Sequence, residues 1–228
     1  MAFNPKHHLS ANLDALRLAF ALQREARTPT TGEAEVLRRY AGFGGIKAVL
    51  NPPDEESFWQ RQGDRELRPL VQDLHQLLRE YAGPQGAEEY LSSLKRSVLT
   101  GFYTPPQLID AVASTLHDEG VTVRAVLDPS AGTGQFLDGL RRQGHDPREV
   151  LLFEKDLLTG LVLAALHGKE QTRVEPFEEI APRYAGRFDL VTSNIPFGDI
   201  PVFDVGYANG KDKLKRQACR AVHAYFFV

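Results

Sequence analysis

One cysteine, Cys219, one methionine and one tryptophan stand among 228 residues. A single thiol excludes an intrachain disulfide and any multi-cysteine metal site. No apolar run approaches the roughly twenty residues of a membrane-spanning helix. The longest, Leu157 to Leu166, is interrupted by Thr159 and Gly160. His7 and His8 stand where a secretory signal needs an apolar stretch, so a cytoplasmic location is expected. Neither sign of charge dominates: 27 Lys and Arg meet 30 Asp and Glu, for a formal net charge of −3. No global signal for nucleic acid follows, and such a partner has to be argued from local chemistry. The sequence also lacks repeats and low-complexity tracts. At 42% hydrophobic and 25% charged residues, it reads as a globular protein long enough to bury a sizeable core.

Helices are predicted for the first hundred residues. Leu13, Leu16, Ala19 and Phe20 recur at spacings of three and four, which predicts an amphipathic helix from Asn12 to Arg27. Thr30, followed three residues later by Glu33, fits a capping box for a second helix through Tyr40. Gly42-Phe43-Gly44-Gly45 ends it in a loop that tolerates unusual φ, and Asn51-Pro52-Pro53-Asp54 is a further break. Leu67, Leu70, Val71, Leu74, Leu77 and Leu78 mark a strongly periodic helix that stops at Gly83-Pro84. A shorter helix runs from there to about Arg96. Residues 1–99 are expected to form one helical region.

From residue 100 to 228 the pattern becomes α/β. Thr104-Pro105-Pro106-Gln107 reads as a helix start, with Thr104 as N-cap and Gln107 closing the box. Leu108, Ile109, Val112 and Leu116 are expected to face a core. Strands are predicted at Val121–Leu127, Val150–Phe153, Thr172–Val174 and Phe188–Thr192. Helices fall between them, one ending near Arg142 and one over Leu157–His167. This is the rhythm of a parallel, doubly wound, Rossmann-like sheet. A last helix from Lys213 runs into Tyr225-Phe226-Phe227-Val228, leaving apolar groups without partners. Together with a sheet of four strands, fewer than average, this gives the expectation of a fragment truncated after its fourth strand.

Two constellations carry chemistry. Asp128-Pro129-Ser130-Ala131-Gly132-Thr133-Gly134 follows the first strand and opens a helix. Glycines there let the backbone turn sharply and approach a ligand. Glu154, twenty residues beyond Gly134, stands at the tip of the second strand, where an acid can take both ribose hydroxyls of an adenosine. A strand–helix turn that merely needs glycine, beside a solvated carboxylate, is the plainer alternative. A dehydrogenase would want glycine or alanine where Leu137 stands. The acid ahead of the glycines repels a pyrophosphate and suits an ammonium. A cationic adenosine cofactor is favoured over NAD.

The second constellation is Ser193-Asn194-Ile195-Pro196-Phe197, at the end of the fourth strand. An Asn amide oxygen and a neighbouring carbonyl can both accept hydrogen bonds from an exocyclic NH2. Pro196 would stiffen the backbone and Phe197 offer a face for a base. A strand-ending turn with a core phenylalanine is the alternative.

With these residues on the page, a resemblance becomes specific. Asp128 to Gly134 resembles the S-adenosylmethionine-binding motif of amino-group DNA methyltransferases, and Asn194-Ile195-Pro196-Phe197 their catalytic Asn-Pro-Pro-aromatic motif. Phe102-Tyr103-Thr104-Pro105 resembles the segment that closes over the methionine end in adenine-N6 enzymes. The match covers roughly residues 100–200. Gly42-Phe43-Gly44-Gly45 is similar to a motif of large methylase–helicase proteins on mobile elements, so a helicase or target-recognition region in the same longer chain is implied. Two positions depart from the pattern. Ile195 replaces the first proline, though its carbonyl can still accept a hydrogen bond. Pro176 stands where an acid is expected after the third strand, leaving Phe177 as the adenine contact.

The resemblance implies a class I methyltransferase fold. It also implies methyl transfer from S-adenosylmethionine to the N6 of an adenine flipped out of double-stranded DNA, in restriction-modification or on a mobile element. Tyr103, Thr104, Pro105, Asp128, Pro129, Ser130, Ala131, Gly132, Gly134, Glu154 and Phe177 would bind cofactor. Asn194, Ile195, Pro196 and Phe197 would be catalytic, without a metal. Cofactor binding without turnover is expected of a truncated core. Methyltransferases of RNA bases and of protein glutamine share the catalytic motif. A non-catalytic module that binds cofactor or DNA is the alternative from another class. Lys211, Lys213, Lys215, Arg216 and Arg220, against Asp212, form a basic cluster beyond the motif, suited to phosphates or simply to solvent.

Overall fold

The computed structural model describes residues 3–98, 101, 103–180, 182–195 and 201–227. The chain opens with α1 (Pro5–Glu25), α2 (Thr31–Arg38), the single turn α3 (Gln62–Arg65) and α4 (Arg68–Ser97). Then come α5 (Pro106–Asp118), β1 (Ala125–Asp128), α6 (Gln135–Arg142), β2 (Glu149–Phe153), α7 (Leu157–His167), β3 (Thr172–Arg173) and β4 (Leu190–Val191). It continues into α8 (Val205–Asn209), α9 (Lys213–Ala218) and α10 (Val222–Tyr225). Two compact units result: Met1–Phe102 with Asp156–Glu170, and Tyr103–Lys155 with Gln171–Val228. Among the described residues no helix is long and apolar enough to cross a membrane.

The first unit is helical. Leu9, Leu13, Leu16 and Phe20 of α1 share one buried cluster with Leu37, Trp59, Leu74, Leu78 and Leu94. Leu158 and Val162 of α7 join the same cluster. α1 starts earlier than its apolar spacing suggests, because Asn4 accepts the His7 N–H and Pro5 occupies the first turn. The Thr30–Glu33 capping box forms, each side chain taking the other residue's backbone N–H. Hydrogen bonds from Arg27 and Thr30 hold the Glu33 carboxyl down to about 2. α4 is broken at Gly83, whose φ of 69° and ψ of 178° leave the helical region just ahead of Pro84.

Buried polar groups tie this unit together. The Gly42–Gly45 loop carries positive φ at both of those glycines, 65° and 79°. Asn12, fully buried, pins it: its Nδ2 donates to the Gly42 carbonyl at 2.6 Å and its Oδ1 accepts from Ala41 N–H at 2.9 Å. α7 is buried almost all round, through Leu158, Thr159, Gly160, Leu161, Val162 and Leu163. Its N-cap Asp156 accepts from Thr159 N–H and from the Ser93 hydroxyl, whose oxygen accepts the Leu157 N–H. A helix lying between two strands in sequence thus packs with α1, α2 and α4.

The second unit holds a parallel sheet of order β3-β2-β1-β4. β1 begins at Ala125 rather than Val121. Its ladder with β2 opens at Ala125↔Glu149, and the Asp189 carboxylate takes the N–H groups of Arg124 and Ala125 there. Val121 is left 44% exposed. β3 and β4 are shorter than predicted, and between them the described chain makes 3₁₀ turns at Phe177–Glu179 and Pro182–Tyr184.

Other expectations need correction. α5 is capped by Pro105, not Thr104, and no side chain closes a box. A residue before proline is driven out of the helical region, so the helix can begin only at Pro106. Its inward face is Ile109 and Ala113, while Leu108 and Val112 are exposed. The reason is α6, which comes so close that a Cβ at Gly139 would lie 2.3 Å from Ile109 Cγ2. The final helix is broken as well. The Cys219 carbonyl accepts the Val202 N–H at 2.9 Å, and Ala221 is extended before α10. Tyr225, expected without partners, is buried and donates to Asp204 Oδ2 at 2.7 Å, and Phe226 stacks on Phe177.

Candidate functional site

In the sheet, β1 and β4 are neighbours although α6, β2, α7 and β3 separate them along the chain. The Thr192 N–H donates to the Leu127 carbonyl at 3.0 Å, so pairing persists to the point where both strands end. From one end departs Asp128-Pro129-Ser130, from the other Ser193-Asn194-Ile195. Such a reversal of strand order opens a crevice at the C-terminal edge, where doubly wound sheets bind ligands.

The glycine loop is built into that edge. Gly132 and Gly134 have φ of 58° and 82°, and Gly134 is the N-cap of α6. Ala131 N–H donates to the Phe153 carbonyl at 2.7 Å, and Gly132 N–H to Glu154 Oε2 at 2.9 Å. These two bonds stitch the loop onto the end of β2 and bring the predicted acid to it. Tyr103 stands over the loop, so close that a Cβ on Gly132 would lie 2.8 Å from its Cε1. Thr104 is half-buried, Pro105 exposed, and Pro129 and Ala131 buried.

Asp128 is the electrostatic centre. It is 1% exposed, and its Oδ1 accepts the Ser130 N–H at 3.1 Å. Neither its Oδ2 nor the buried Ser193 Oγ completes a hydrogen bond among the described residues. Burial pushes the carboxyl up to about 7, with the Ser130 N–H and the facing Ser193 hydroxyl pulling the other way. An acid so desolvated ionises readily only when a donor or a cation comes to it. Ser193, given no role of its own in the sequence reading, is the residue that reasoning missed. Its position between a strand end and Asn194 was the available signal.

Asn194 and Ile195 are half-buried beyond β4. Phe102, Pro196 and Phe197 lie outside the described residues. Phe177 meets Phe153 edge-on at 5.5 Å and stacks against Phe226 at 5.6 Å, so one of its faces is covered. A cavity of about 320 Å³ adjoins it, lined by Leu127, Phe177, Ile180, Tyr184, Phe188 and Val191 among others. The Arg183 and Arg187 guanidinium groups lie 4.9 and 5.8 Å from the ring of Tyr184, one of the residues lining that cavity.

No family model matches the chain. It is 27% identical over 132 residues to Defense against restriction protein B of Escherichia phage P1, a match covering 57% of this chain and 5% of that protein. The chain therefore spans a small part of that relative. Two solved structures show distant likeness. The type IIG restriction endonuclease BpuSI is 15% identical, with a TM-score of 0.39, over 89% of this chain and 26% of its own. A Listeria monocytogenes protein described as a class I S-adenosylmethionine-dependent methyltransferase is 16% identical, with a TM-score of 0.42, over 97% and 68%.

Proposed function

We propose that this chain carries the cofactor-binding and catalytic core of an S-adenosylmethionine-dependent methyltransferase that acts on adenine N6 in DNA. The observation that carries the reading is a juxtaposition. The Asp128-led glycine loop and Ser193-Asn194 leave the ends of two paired strands at the switch point of a parallel sheet. The residues fit the cofactor in two ways. Asp128 Oδ2 is a buried acceptor lacking a donor among the described residues, and the cofactor is a cation with an ammonium group. Only glycine fits at position 132 against Tyr103, so the loop meets a ligand there with backbone rather than a side chain. The name of the phage relative speaks of defence against restriction, and methylation of DNA is one chemical route to such defence.

When bound, S-adenosylmethionine supplies an electrophilic methyl group. The chain's own residues do the rest. Asp128 and the backbone of Gly132 to Gly134 would hold the amino-acid end, and Glu154 would accept from the ribose hydroxyls. The adenine amine is a weak nucleophile because its lone pair is delocalised into the ring. The Asn194 amide oxygen and the Ile195 carbonyl accept hydrogen bonds from its two protons and draw the nitrogen toward tetrahedral geometry. The base has to leave the stack to reach them. Calorimetric titration with S-adenosylmethionine tests the cofactor half of the reading. Binding is expected, with Glu154→Ala weaker by about 1–3 kcal/mol, the scale for hydrogen bonds to a charged acceptor. Equal affinity in the variant removes Glu154 from the site, and no binding by the parent chain overturns the reading.

A further inference from the structure

The segment that follows the Asn194 motif is the least neutral stretch of surface in the second unit. Over residues 211–220, Lys211, Lys213, Lys215, Arg216 and Arg220 face a single carboxylate, Asp212. That carboxylate is directed into the start of α9, its Oδ1 accepting from Leu214 N–H at 2.8 Å and Lys215 N–H at 3.3 Å. Asp204, the next acid along the described chain, accepts from Tyr207 N–H and the Tyr225 hydroxyl. Among the described residues none of the five cations lies within ion-pair distance of a carboxylate. Six other cations, Arg17, Arg27, Arg68, Arg142, Lys155 and Arg187, do each have an acidic partner.

The cations are also presented rather than tucked away. Lys211, Lys213, Arg216 and Arg220 are exposed. Lys213, Arg216 and Arg220 follow one another at spacings of three and four, which aligns them along one side of α9 and the turn after it. The opposite side is anchored, with Ala218 buried and Lys215 Nζ set 4.8 Å from the Tyr207 ring. Arg216 spends one N–H on the Gly210 carbonyl at 2.5 Å, which fixes its guanidinium in place. The Val202 N–H bond to Cys219 ties the end of this element to the chain emerging from the Asn194 motif. A row of unpaired cations held on a short fixed element has the chemistry to track a phosphate backbone.

We propose that the α9 surface, through Lys213, Arg216 and Arg220, grips the phosphate backbone of the duplex DNA whose base is presented to Asn194. This rests on the proposed DNA reading, and the experiment separates the two. Binding of a fluorescent duplex containing adenine is measured by anisotropy from 50 to 200 mM salt. The parent chain is compared with Lys213→Gln/Arg216→Gln/Arg220→Gln, and both are titrated with S-adenosylmethionine. The triple variant is expected to bind DNA about 10- to 100-fold more weakly, with a log–log salt slope shallower by about 3, one for each phosphate contact removed. Its cofactor affinity is expected to match the parent's, which also reports that it folds. Unchanged DNA affinity and slope in a variant that still binds cofactor overturn the proposal and leave the methyltransferase reading standing. Failure of the parent to bind duplex at 50 mM salt while it binds cofactor does the same. Tighter binding of an RNA duplex of the same sequence overturns the choice of DNA.

Discussion

The two units differ in which buried polar groups they leave without a partner. In the helical unit Asn12, Ser93, Asp156 and the Tyr40–Thr159 hydroxyl pair each find a partner, and each partner fixes a loop or a helix start. His75 Nε2 and His167 Nδ1 are exceptions there among the described residues, and burial lowers the His75 pKa. In the sheet unit Asp128 Oδ2 and Ser193 Oγ are buried without a completed hydrogen bond among the described residues, at the edge where a doubly wound sheet binds ligands. A satisfied polar network specifies structure, whereas an unsatisfied acid is retained against its desolvation penalty. Substitutions should therefore separate the units: stability suffers in one, ligand handling in the other.

The largest effect is expected at Asn194. In the shortest length of the protein that transfers labelled methyl groups to adenine-containing DNA, Asn194→Ala should lower the rate by roughly 100-fold or more, the scale for one transition-state hydrogen bond. S-adenosylmethionine affinity should stay put, and normal turnover would remove Asn194 from catalysis.

Asp128 comes next, and its signature is a pH dependence. Its folded carboxyl, about 7 against an ordinary 3.8, holds a proton that the unfolded chain has released. The stability it contributes is complete below about pH 4 and is lost as pH rises through 7, with a slope approaching ~1.4 kcal/mol per unit. Urea denaturation at pH 5 and pH 8 should show this fall in the parent and a flatter response in Asp128→Asn. Matching profiles would mean that the acid is already satisfied in the folded chain.

In the helical unit Asn12→Ala strands the Ala41 N–H and the Gly42 carbonyl, and a loss of about 1–3 kcal/mol is expected by chemical denaturation. Cofactor affinity should not follow; a parallel loss of binding would break the contrast between the units. The smallest effect belongs to Thr30→Ala. It removes a capping box at the start of a short exposed helix, at about 0.5–2 kcal/mol in the same assay.

Local chemistry was legible in the sequence wherever one or two residues decide the backbone. The Thr30 box, the break at Gly83-Pro84, the positive φ at Gly132 and Gly134, and the span Leu157–His167 could all be read directly. So could the arrival of Glu154 at the glycine loop, since strand tips one crossover apart meet at the same edge. Features set by a tertiary neighbour could not be read. Which face of α5 turns inward depends on the close approach of Gly139. The break after α9 depends on a carbonyl diverted to Val202, seventeen residues upstream of it. The partners of Tyr225 depend on an acid at residue 204. α7 is apolar all round, and a helix without a polar face announces burial but not its neighbours.

That last helix has a consequence for the order of events during synthesis. Leu9 and Leu158 belong to one buried cluster, yet the ribosome makes them some 150 residues apart, with β1 and β2 in between. The first hundred residues therefore emerge with a face that nothing can yet cover. They must wait, half assembled, until α7 is released, a delay of roughly 3–10 s at ordinary elongation rates. Cutting the gene near residue 100 would make the wait permanent: the product would be a helical unit lacking one of its helices, and a sheet unit carrying that helix with no place to put it.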